Sequence, residues 1–236
     1  MTFDPFNGFD PFGGGAVAFD PLSLAPSQWL SDTGSSPGTW PDLSGNGWDA
    51  TQETVANQPR IVSAALNGRQ VRDFDGTNDF LAHLLTVSSS DNAVFAVVRN
   101  DSLTSSIGPI YGASASLTVL KCYLAAQWTA SSQWGTYRNG AFVSSGSTVR
   151  GSFSVVGLLA SASGGVFRHN GIATTHTQSA FYAGDGSDRR KVGSSSPGEL
   201  FKGRIAEIMV FSRLVAVGEC QAVERYLGAK YRISVA

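Results

Sequence analysis

The segment Gly203-Arg204-Ile205-Ala206-Glu207-Ile208-Met209-Val210-Phe211 is typical of a β-strand. Strict alternation assigns its apolar residues to both faces: Ile205, Met209 and Phe211 to one, and Ala206, Ile208 and Val210 to the other. A strand that is apolar on both faces is predicted to be covered on both sides, since an edge or surface strand would alternate with polar residues. Glu207 is the one carboxylate in this apolar segment, so we expect it to need a partner inside the core.

The apolar period changes from two to three and four shortly after this strand. The apolar residues at helical spacing are Val217, Cys220, Val223, Leu227 and Tyr231. Glu219 near the start of this stretch, and Lys230 and Arg232 near its end, suit the dipole of a helix. The sequence therefore predicts a last strand and a closing helix that seal one core.

Three motifs carry a resemblance to a known family. They are Trp40-Pro41-Asp42-Leu43-Ser44-Gly45-Asn46-Gly47-Trp48-Asp49-Ala50-Thr51, Val71-Arg72-Asp73-Phe74-Asp75-Gly76-Thr77-Asn78-Asp79-Phe80-Leu81, and the strand at Gly203 followed by Val223-Glu224-Arg225-Tyr226-Leu227-Gly228-Ala229-Lys230-Tyr231. In this order they resemble laminin-G-like domains of the concanavalin A-like superfamily, in the branch common in phage virion and bacterial surface proteins. The resemblance implies an all-β, two-sheet antiparallel jelly-roll sandwich with a short C-terminal helix.

The turn chemistry of the first two motifs agrees with this interpretation. Ser44 to Gly47 supplies the positions of positive φ that a tight turn needs, and Asp42 and Asp49 can bond the turn's own backbone amides. The second motif predicts a strand, an Asp-Gly turn at Asp75-Gly76 and a returning strand. Asn139-Gly140 and Asn170-Gly171 predict two further hairpin turns between short strands.

The composition suits many short strands. The chain has 236 residues, 42% of them hydrophobic and 15% charged, with 27 glycines, enough for one large β-sandwich or two small domains. A formal net charge of −1 gives no electrostatic support for binding nucleic acid or an anionic membrane. No stretch is long and apolar enough to predict a membrane span, and the N-terminus lacks the pattern of a secretory signal. We therefore expect synthesis in a cytoplasm and delivery to an outside surface by assembly or lysis, as for a virion protein.

The two cysteines, Cys122 and Cys220, lie in a strand-like and a helix-like context. Buried free thiols are the favoured interpretation. A single long-range disulfide is the alternative.

Residues 1–27 differ from the rest of the chain and are predicted to form an extended arm, with residues 28–236 as the sandwich domain. The tripeptide Phe-Asp-Pro occurs three times, and Gly13-Gly14-Gly15 lies between the second and third copies. The phenylalanines of this arm are Phe3, Phe6, Phe9, Phe12 and Phe19. Exposed phenylalanine at this density calls for a covering surface. That surface is either the chain's own sandwich or a partner subunit onto which these five side chains dock. Docking onto a partner is the favoured interpretation.

Catalysis is not expected from the sequence. Concanavalin A-like folds include retaining glycosidases, whose two carboxyl groups lie about 5 Å apart, usually on one strand in a pattern such as E-x-D-x-x-E. No such pattern occurs in this chain. His83, His169 and His176 show no metal or triad spacing and are interpreted as turn or surface residues.

Ligand binding is expected from aromatic residues, if at all. Trp128, Trp134 and Tyr137 lie near one another and would form a sugar-stacking platform if exposed on one rim. The alternative is that they are core residues, as tryptophan and tyrosine in a sandwich usually are.

No cofactor is expected apart from a possible calcium ion, since laminin-G-like domains often bind one. Asp75, Asn78 and Asp79 form an oxygen-rich cluster that would suit Ca²⁺. Stabilisation of the turn by the same side chains is the alternative.

The function predicted from these observations is that of a non-enzymatic phage virion protein, such as a head or tail decoration, fibre or spike subunit. Its arm would anchor it to other virion proteins or to copies of itself in a homo-oligomeric assembly, and its jelly roll would bind a host-surface glycan or a protein. The alternative is a carbohydrate-binding, lectin-like module of a bacterial surface protein. A glycosidase is the third and least favoured hypothesis.

Overall fold

The computed structural model describes residues 20–85, 91–101, 108–113, 121–126, 133–138, 141–148, 150–161, 164–176, 190–196 and 198–236. Its strands in chain order are β1 (Gln28–Leu30), β2 (Thr39–Trp40), β3 (Ala50–Thr51), β4 (Arg60–Leu66), β5 (Arg69–Asp75), β6 (Leu81–His83), β7 (Asn92–Asn100), β8 (Gly108–Ala113), β9 (Lys121–Ala126), β10 (Gln133–Arg138), β11 (Ala141–Thr148), β12 (Ser154–Ser161), β13 (Gly164–His169), β14 (Ile172–His176), β15 (Arg190–Val192), β16 (Ser194–Ser196), β17 (Glu199–Leu200) and β18 (Lys202–Phe211). One α-helix, α1 (Val217–Tyr231), and two short 3₁₀ helices, Pro21–Leu24 and Val55–Asn57, complete the described elements.

The strands form two large antiparallel sheets. Sheet A has the order β14-β13-β12-β7-β18-β5-β4, with β1 paired to β18, and sheet B has the order β11-β10-β9-β8-β15-β6-β3-β2. Strands β16 and β17 form a separate small hairpin. The predicted class, an all-β two-sheet antiparallel sandwich with a short C-terminal helix, is confirmed.

The inner strands of sheet A are buried on both faces, because sheet B covers one face and α1 covers the other. Val94, Ala96 and Val98 of β7 pack in the core between the sheets. The alternate residues Ala93, Phe95 and Val97 pack with the side chains of α1. Strand β18 is an interior member of this sheet and is buried from Ile205 to Phe211, as its apolar sequence predicts.

The predicted faces of β18 are wrong for two residues, Ile205 and Ala206. Ile205 packs in the core between the sheets together with Ile208 and Val210, whereas Ala206 packs toward α1 with Met209 and Phe211. The cause is a β-bulge, since the register of β18 against β7 shifts between Ile205 and Glu207. A bulge inserts one residue and reverses the alternation on one side of it.

The closing helix begins and ends where its apolar period does. Cys220, Val223, Leu227 and Tyr231 are buried against sheet A, but Val217 is 67% exposed, so the apolar stripe is shorter than predicted. The first turn has no side-chain cap from Ala216. The Glu219 carboxylate instead accepts a hydrogen bond from the Ala216 amide at 2.8 Å, which satisfies one of the free amides of this turn.

Glu207 has the partner in the core that its position requires. The Nζ atom of Lys230 lies 2.7 Å from the Oε2 atom of Glu207, and both side chains are fully buried. The same ammonium group lies 2.7 Å from the Oδ1 atom of Asp32. An ion cluster therefore joins β18, α1 and the segment that follows β1.

The motif around Asp75-Gly76 does not form a hairpin. Strand β5 lies in sheet A and β6 in sheet B, so the turn carries the chain from one layer to the other. At Asn170-Gly171 the prediction is confirmed, because both residues have positive φ and connect the paired strands β13 and β14. The other predicted turn, Asn139-Gly140, lies outside the described residues.

The start of the described chain packs on the domain. The Pro21–Leu24 3₁₀ helix is capped by Asp20, whose Oδ1 accepts from the Leu22 amide at 2.9 Å. Leu24 packs against the core beneath α1. Residues 1–19, with all five phenylalanines predicted to dock, lie outside the described residues, so the boundary at residue 27 stays a prediction.

Cys220 is a free, buried thiol, which excludes the disulfide alternative for this residue. Burial raises the pKa of Cys220 to about 11. The side chain of Cys122 lies outside the described residues. Among the described helices, none has the length and apolar content needed to cross a membrane.

Candidate functional site

A groove of about 550 Å³ lies at the β3 and β6 end of sheet B. We name it the Trp48 groove, after one of the aromatic residues that line it. The residues of its walls used below are Trp48, Asp49, Gln52, Glu53, Phe80 and Leu84. Its volume lies within the range of pockets that bind small organic ligands.

The groove lies on the face of sheet B that points away from the core. In β6, Leu81 packs into the core between the sheets, and Ala82, the next residue, lines the groove. Thr51 of β3 is the pairing partner of Ala82 and is exposed. These two strands therefore form the base of the groove, and the segments that flank them form its walls.

A turn organised by Asp42 positions Trp48. The Oδ1 atom of Asp42 accepts hydrogen bonds from the amides of Trp29 at 2.8 Å and Ser44 at 3.0 Å. Its Oδ2 atom accepts from the Ser44 hydroxyl at 2.8 Å and from the Trp48 amide at 2.9 Å. The Asp49 carboxylate in turn accepts from the Asp42 amide at 2.8 Å. The predicted bonding of this turn's amides by Asp42 and Asp49 is confirmed, and its consequence is a fixed Trp48 backbone.

Gln52 and Phe80, which also line the groove, are joined by a hydrogen bond. The Gln52 amide nitrogen donates to the Phe80 carbonyl at 3.5 Å, and its Oε1 atom accepts from the Thr54 amide at 3.0 Å. The Lys191 ammonium lies 4.7 Å from the centroid of the Phe80 ring. Burial lowers the pKa of Lys191. A cation already covers one face of Phe80, so Trp48 offers the better aromatic surface for a ligand.

The groove combines apolar surface with groups that bond hydroxyls. Leu84 is 68% exposed, and Trp48 is half-buried against the core. The Asp49 and Glu53 carboxylates and the Thr51 and Thr54 hydroxyls are exposed along the same groove. Carboxylates accept hydrogen bonds from ligand hydroxyls, and apolar side chains pack on C–H surfaces. The arrangement suits a polyhydroxylated ligand with apolar ring faces.

His83 borders this groove but is not a surface residue, contrary to the prediction. It is 2% exposed, and its ring stacks on Tyr111 at 5.1 Å between centroids. Burial, with the positive charge of Arg190 as a smaller cause, lowers the pKa of His83 to about 3. Neither ring nitrogen has a hydrogen-bond partner among the described residues. At neutral pH this imidazole is uncharged.

Comparison with known proteins identifies the fold. No family model matches the chain, and no curated protein matches it. Among solved structures, Trypanosoma rangeli sialidase in complex with sialic acid matches with a TM-score of 0.61 at 16% identity, covering 90% of this chain and 34% of that one. Domain 4 of AbnA, a GH43 extracellular arabinanase from Geobacillus stearothermophilus in complex with arabinotriose, matches with a TM-score of 0.59 at 14% identity, covering 85% of this chain and 98% of that one. A GH54 α-L-arabinofuranosidase matches with a TM-score of 0.57 at 13% identity, covering 82% of this chain and 50% of that one.

The shared feature is the β-sandwich. At these identities the likeness establishes the fold alone, and the chain spans about a third of the length of the sialidases that it matches. The finer resemblance to laminin-G-like jelly rolls stays a prediction.

These neighbours contradict the main functional prediction. The matching structures are glycosidases or a domain of one, which argues against both a phage virion protein and the expectation that enzymes are excluded. The virion prediction relied on the phenylalanine-rich arm, and its residues 1–19 lie outside the described part of the chain. The predicted partners, oligomeric state and location stay predictions.

Trp134 does not form an exposed sugar platform. Its side chain is 0% exposed and packs edge-on against Phe167, with 5.3 Å between ring centroids. The core alternative therefore describes Trp134. Trp128 lies outside the described residues, as does the side chain of Tyr137.

The predicted calcium ligands bond their own turn. The Asp79 carboxylate accepts from the Asp75 amide at 2.9 Å, and the Asp75 carboxylate accepts from the amides of Thr77 at 2.7 Å and Asn78 at 3.2 Å. Burial raises the pKa of Asp79 to about 6. Within the described ranges, no group of three or more histidine, cysteine, aspartate or glutamate side chains is placed to hold a metal ion. Turn stabilisation accounts for these contacts, and calcium binding stays a prediction.

The groove residues that the sequence did not single out are Trp48, Glu53, Phe80 and Leu84. Trp48 and Phe80 lie inside the two quoted motifs, which were interpreted as turns and strands only. A detectable signal was present at Trp48, because a large aromatic residue between Gly47 and Asp49 has no role in the turn geometry itself.

Proposed function

We propose that this chain is a carbohydrate-binding domain of a carbohydrate-processing protein, and that the Trp48 groove holds the saccharide. The observation that carries the proposal is the composition of the groove, which places a half-buried tryptophan beside exposed carboxylates and hydroxyls on the outer face of sheet B. A sugar ring has apolar C–H faces and a rim of hydroxyls, so it needs both kinds of surface.

The fold supports this assignment. The AbnA domain, which shares the β-sandwich over nearly its whole length, was solved in complex with arabinotriose. A domain of this architecture can therefore bind an oligosaccharide. The whole protein's substrate and activity are part of the proposal, and carbohydrate processing is the activity that the neighbours favour.

The proposed roles follow from the position of each side chain. Trp48 and Leu84 pack on the apolar face of a sugar ring. Glu53 accepts hydrogen bonds from ring hydroxyls. Asp49 uses one oxygen for the Asp42 amide and offers the other to the ligand.

The experiment is a calorimetric titration of the chain with arabinotriose and with sialic acid, followed by a glycan array to extend the ligand set. Leu84→Ser and Glu53→Gln change exposed side chains of the groove, so folding is expected to be retained. Loss of a hydrogen bond to a charged group costs about 1.5–3 kcal/mol, so Glu53→Gln is expected to weaken binding by roughly tenfold or more.

Ile172→Ser is the matched control for Leu84→Ser. Ile172 is 65% exposed, close to the 68% of Leu84, but it lies on β14 in the other sheet. The control should bind as the unmodified chain does. If no saccharide binds, or if the groove variants bind as well as the control, the proposal is wrong.

A further inference from the structure

A second groove, of about 590 Å³, lies between the β4–β5 turn and the end of α1. We name it the Arg232 groove. Its walls include Asp32, Asn67, Arg69, Lys230 and Arg232. It shares no lining residue with the Trp48 groove and has a different charge.

The carboxylates at this groove are already paired. Lys230 is bound by Asp32 and Glu207, each at 2.7 Å. The Oδ2 atom of Asp32 also lies 3.0 Å from the Nη1 atom of Arg69. Two carboxylates therefore face two cations, and their charges balance.

Arg232 adds a positive charge beyond the two cations that Asp32 and Glu207 neutralise. It is exposed, and among the described residues no carboxylate pairs with its guanidinium group. The groove therefore carries one unpaired cation at its rim. A guanidinium group forms paired hydrogen bonds with the two oxygens of a carboxylate or sulfate group.

Hydrogen bonds to the last carbonyls of α1 weaken the negative end of the helix dipole beside this groove. The Lys230 carbonyl accepts hydrogen bonds from the Arg69 Nε atom at 3.2 Å and from the Asn67 side-chain amide at 3.3 Å. The Gly228 carbonyl accepts from the Ile233 amide at 2.9 Å. Bonded in this way, the last carbonyls of α1 repel an approaching anion less.

Arg232 is held in a backbone conformation that glycine favours. Its φ is +54°, in the left-handed region, at the residue that ends the helix. A residue with a Cβ atom adopts this conformation at a cost in stability. Arginine at this position thus has a cost that binding through its side chain would explain.

We propose that the Arg232 groove binds the carboxylate or sulfate group of an acidic saccharide, with Arg232 as its charged partner. The saccharide part of this assignment rests on the proposed function, whereas the anion part rests on the groove itself. Arg69 and Lys230 are held by their carboxylates and shape the groove, and Arg232 makes the direct contact.

The test is an NMR titration of the full chain with a trisaccharide of galacturonic acid, with the neutral trisaccharide of galactose and with inorganic sulfate. Arg232→Gly removes the guanidinium group and relieves the left-handed backbone, so the fold should be at least as stable as before. Arg225→Ala is the matched control, since Arg225 is an exposed arginine two turns earlier on α1 and does not line the groove.

The acidic trisaccharide is expected to shift the amides of residues 63–70 and 229–232, and to bind more tightly than the neutral trisaccharide or free sulfate. Arg232→Gly should weaken this binding by about tenfold or more, and Arg225→Ala should leave it unchanged.

Four results would overturn the inference. The first is equal binding by Arg232→Gly, and the second is equal affinity for sulfate and the acidic trisaccharide, which would mean an adventitious ion only. The third is shifts confined to residues 47–54 and 80–84, which would reject this site while supporting the Trp48 groove. In the fourth, no saccharide binds at either groove, which would reject both proposals.

Discussion

Glu207, the carboxylate expected to need a partner, is surrounded by hydrogen-bond donors in the core. They include the Trp29 indole at 2.6 Å, the Ser31 hydroxyl at 3.1 Å, and the Lys230 ammonium and Tyr231 hydroxyl, each at 2.7 Å. Burial, with the charge of Glu207 as a smaller cause, raises the pKa of Tyr231 well above its usual value, so this phenol remains a donor. Removing either partner of a buried, hydrogen-bonded ion pair of this kind strongly destabilises the fold, because it leaves the other charge unpaired.

Lys230→Met tests this cluster at the level of one residue. Methionine keeps the apolar stem but removes the ammonium, which leaves Glu207 and Asp32 without their shared cation. We expect the free energy of unfolding to fall by about 3–5 kcal/mol. Urea denaturation at pH 7 measures this quantity.

Arg60→Met is the control for Lys230→Met. Arg60 pairs with Asp73 at 2.6 Å, but its side chain is 76% exposed, so solvent screens the pair and the expected loss is far smaller than for Lys230→Met. Equal losses for the two variants would show that the buried cluster contributes no more than a surface pair.

The raised pKa of Asp79 predicts that the stability of the folded chain depends on pH. Its pKa in the folded chain is about 6, above the value of 3.8 expected when unfolded, because burial disfavours the ionised form. Between these values the folded state holds more protons on this group, so its contribution to stability falls as the pH rises from about 4 to about 6.

Asp79→Asn removes that contribution while keeping an oxygen that accepts from the Asp75 amide. The difference in unfolding free energy between the unmodified chain and Asp79→Asn should therefore shift in favour of the variant as the pH rises through this window. Chemical denaturation at a series of pH values measures the difference. A difference that is constant with pH would refute the raised pKa.

Side-chain exposure was the property that the sequence predicted least well at this scale. Alternation along β6 would permit His83 to lie on either face, and only the pairing of β6 with β15 and β3 shows that it points with Leu81 into the core. Trp134 has the same ambiguity. A residue's face depends on which sheet covers its strand, and that information is not local.

At the scale of elements, the strand and helix types were predictable where their period was long. Strand β7 and helix α1 match the apolar patterns in the sequence. The bulge in β18 was not predictable, because the inserted residue, Ala206, is apolar like its neighbours and leaves no break in the pattern. The change of sheet between β5 and β6 was missed for a related reason, since an Asp-Gly turn permits either a hairpin or a crossing.

At the scale of elements, the turn that carries Trp48 leads to a prediction about stability and saccharide binding. Asp42 accepts four hydrogen bonds, from three amides and one hydroxyl, and so connects β1 to the wall of the Trp48 groove. Asp42→Ala should lower the unfolding free energy by about 3 kcal/mol or more, because several donors lose a charged acceptor. It should also weaken saccharide binding, because the Trp48 backbone is no longer fixed.

Asp20→Ala is the matched control for Asp42→Ala. Asp20 caps a short 3₁₀ helix through one amide bond, so its removal should cost about 1 kcal/mol and leave saccharide binding unchanged. If both variants lose the same stability and bind equally well, the Asp42 turn does not organise the groove.

At the scale of the whole molecule, the sheets and the closing helix form one sandwich in which the first and last described strands pair. Residues Gln28, Trp29 and Leu30 of β1 pair with Val210, Met209 and Ile208 of β18. The fold class followed from the sequence because apolar strands, glycine turns and one helical stripe are signals that do not depend on the partner. Function did not follow, because the prediction relied on the N-terminal arm, and the groove forms only where residues 47–54 and 80–84 come together in the fold.

The most direct measurement of the central claim is a crystal structure of the chain with the saccharide that binds it most tightly in the array. We expect a sugar ring packed against Trp48, with its hydroxyls bonded to Glu53 and Asp49. A saccharide bound elsewhere on the sandwich, with the Trp48 groove occupied only by solvent, would contradict this expectation.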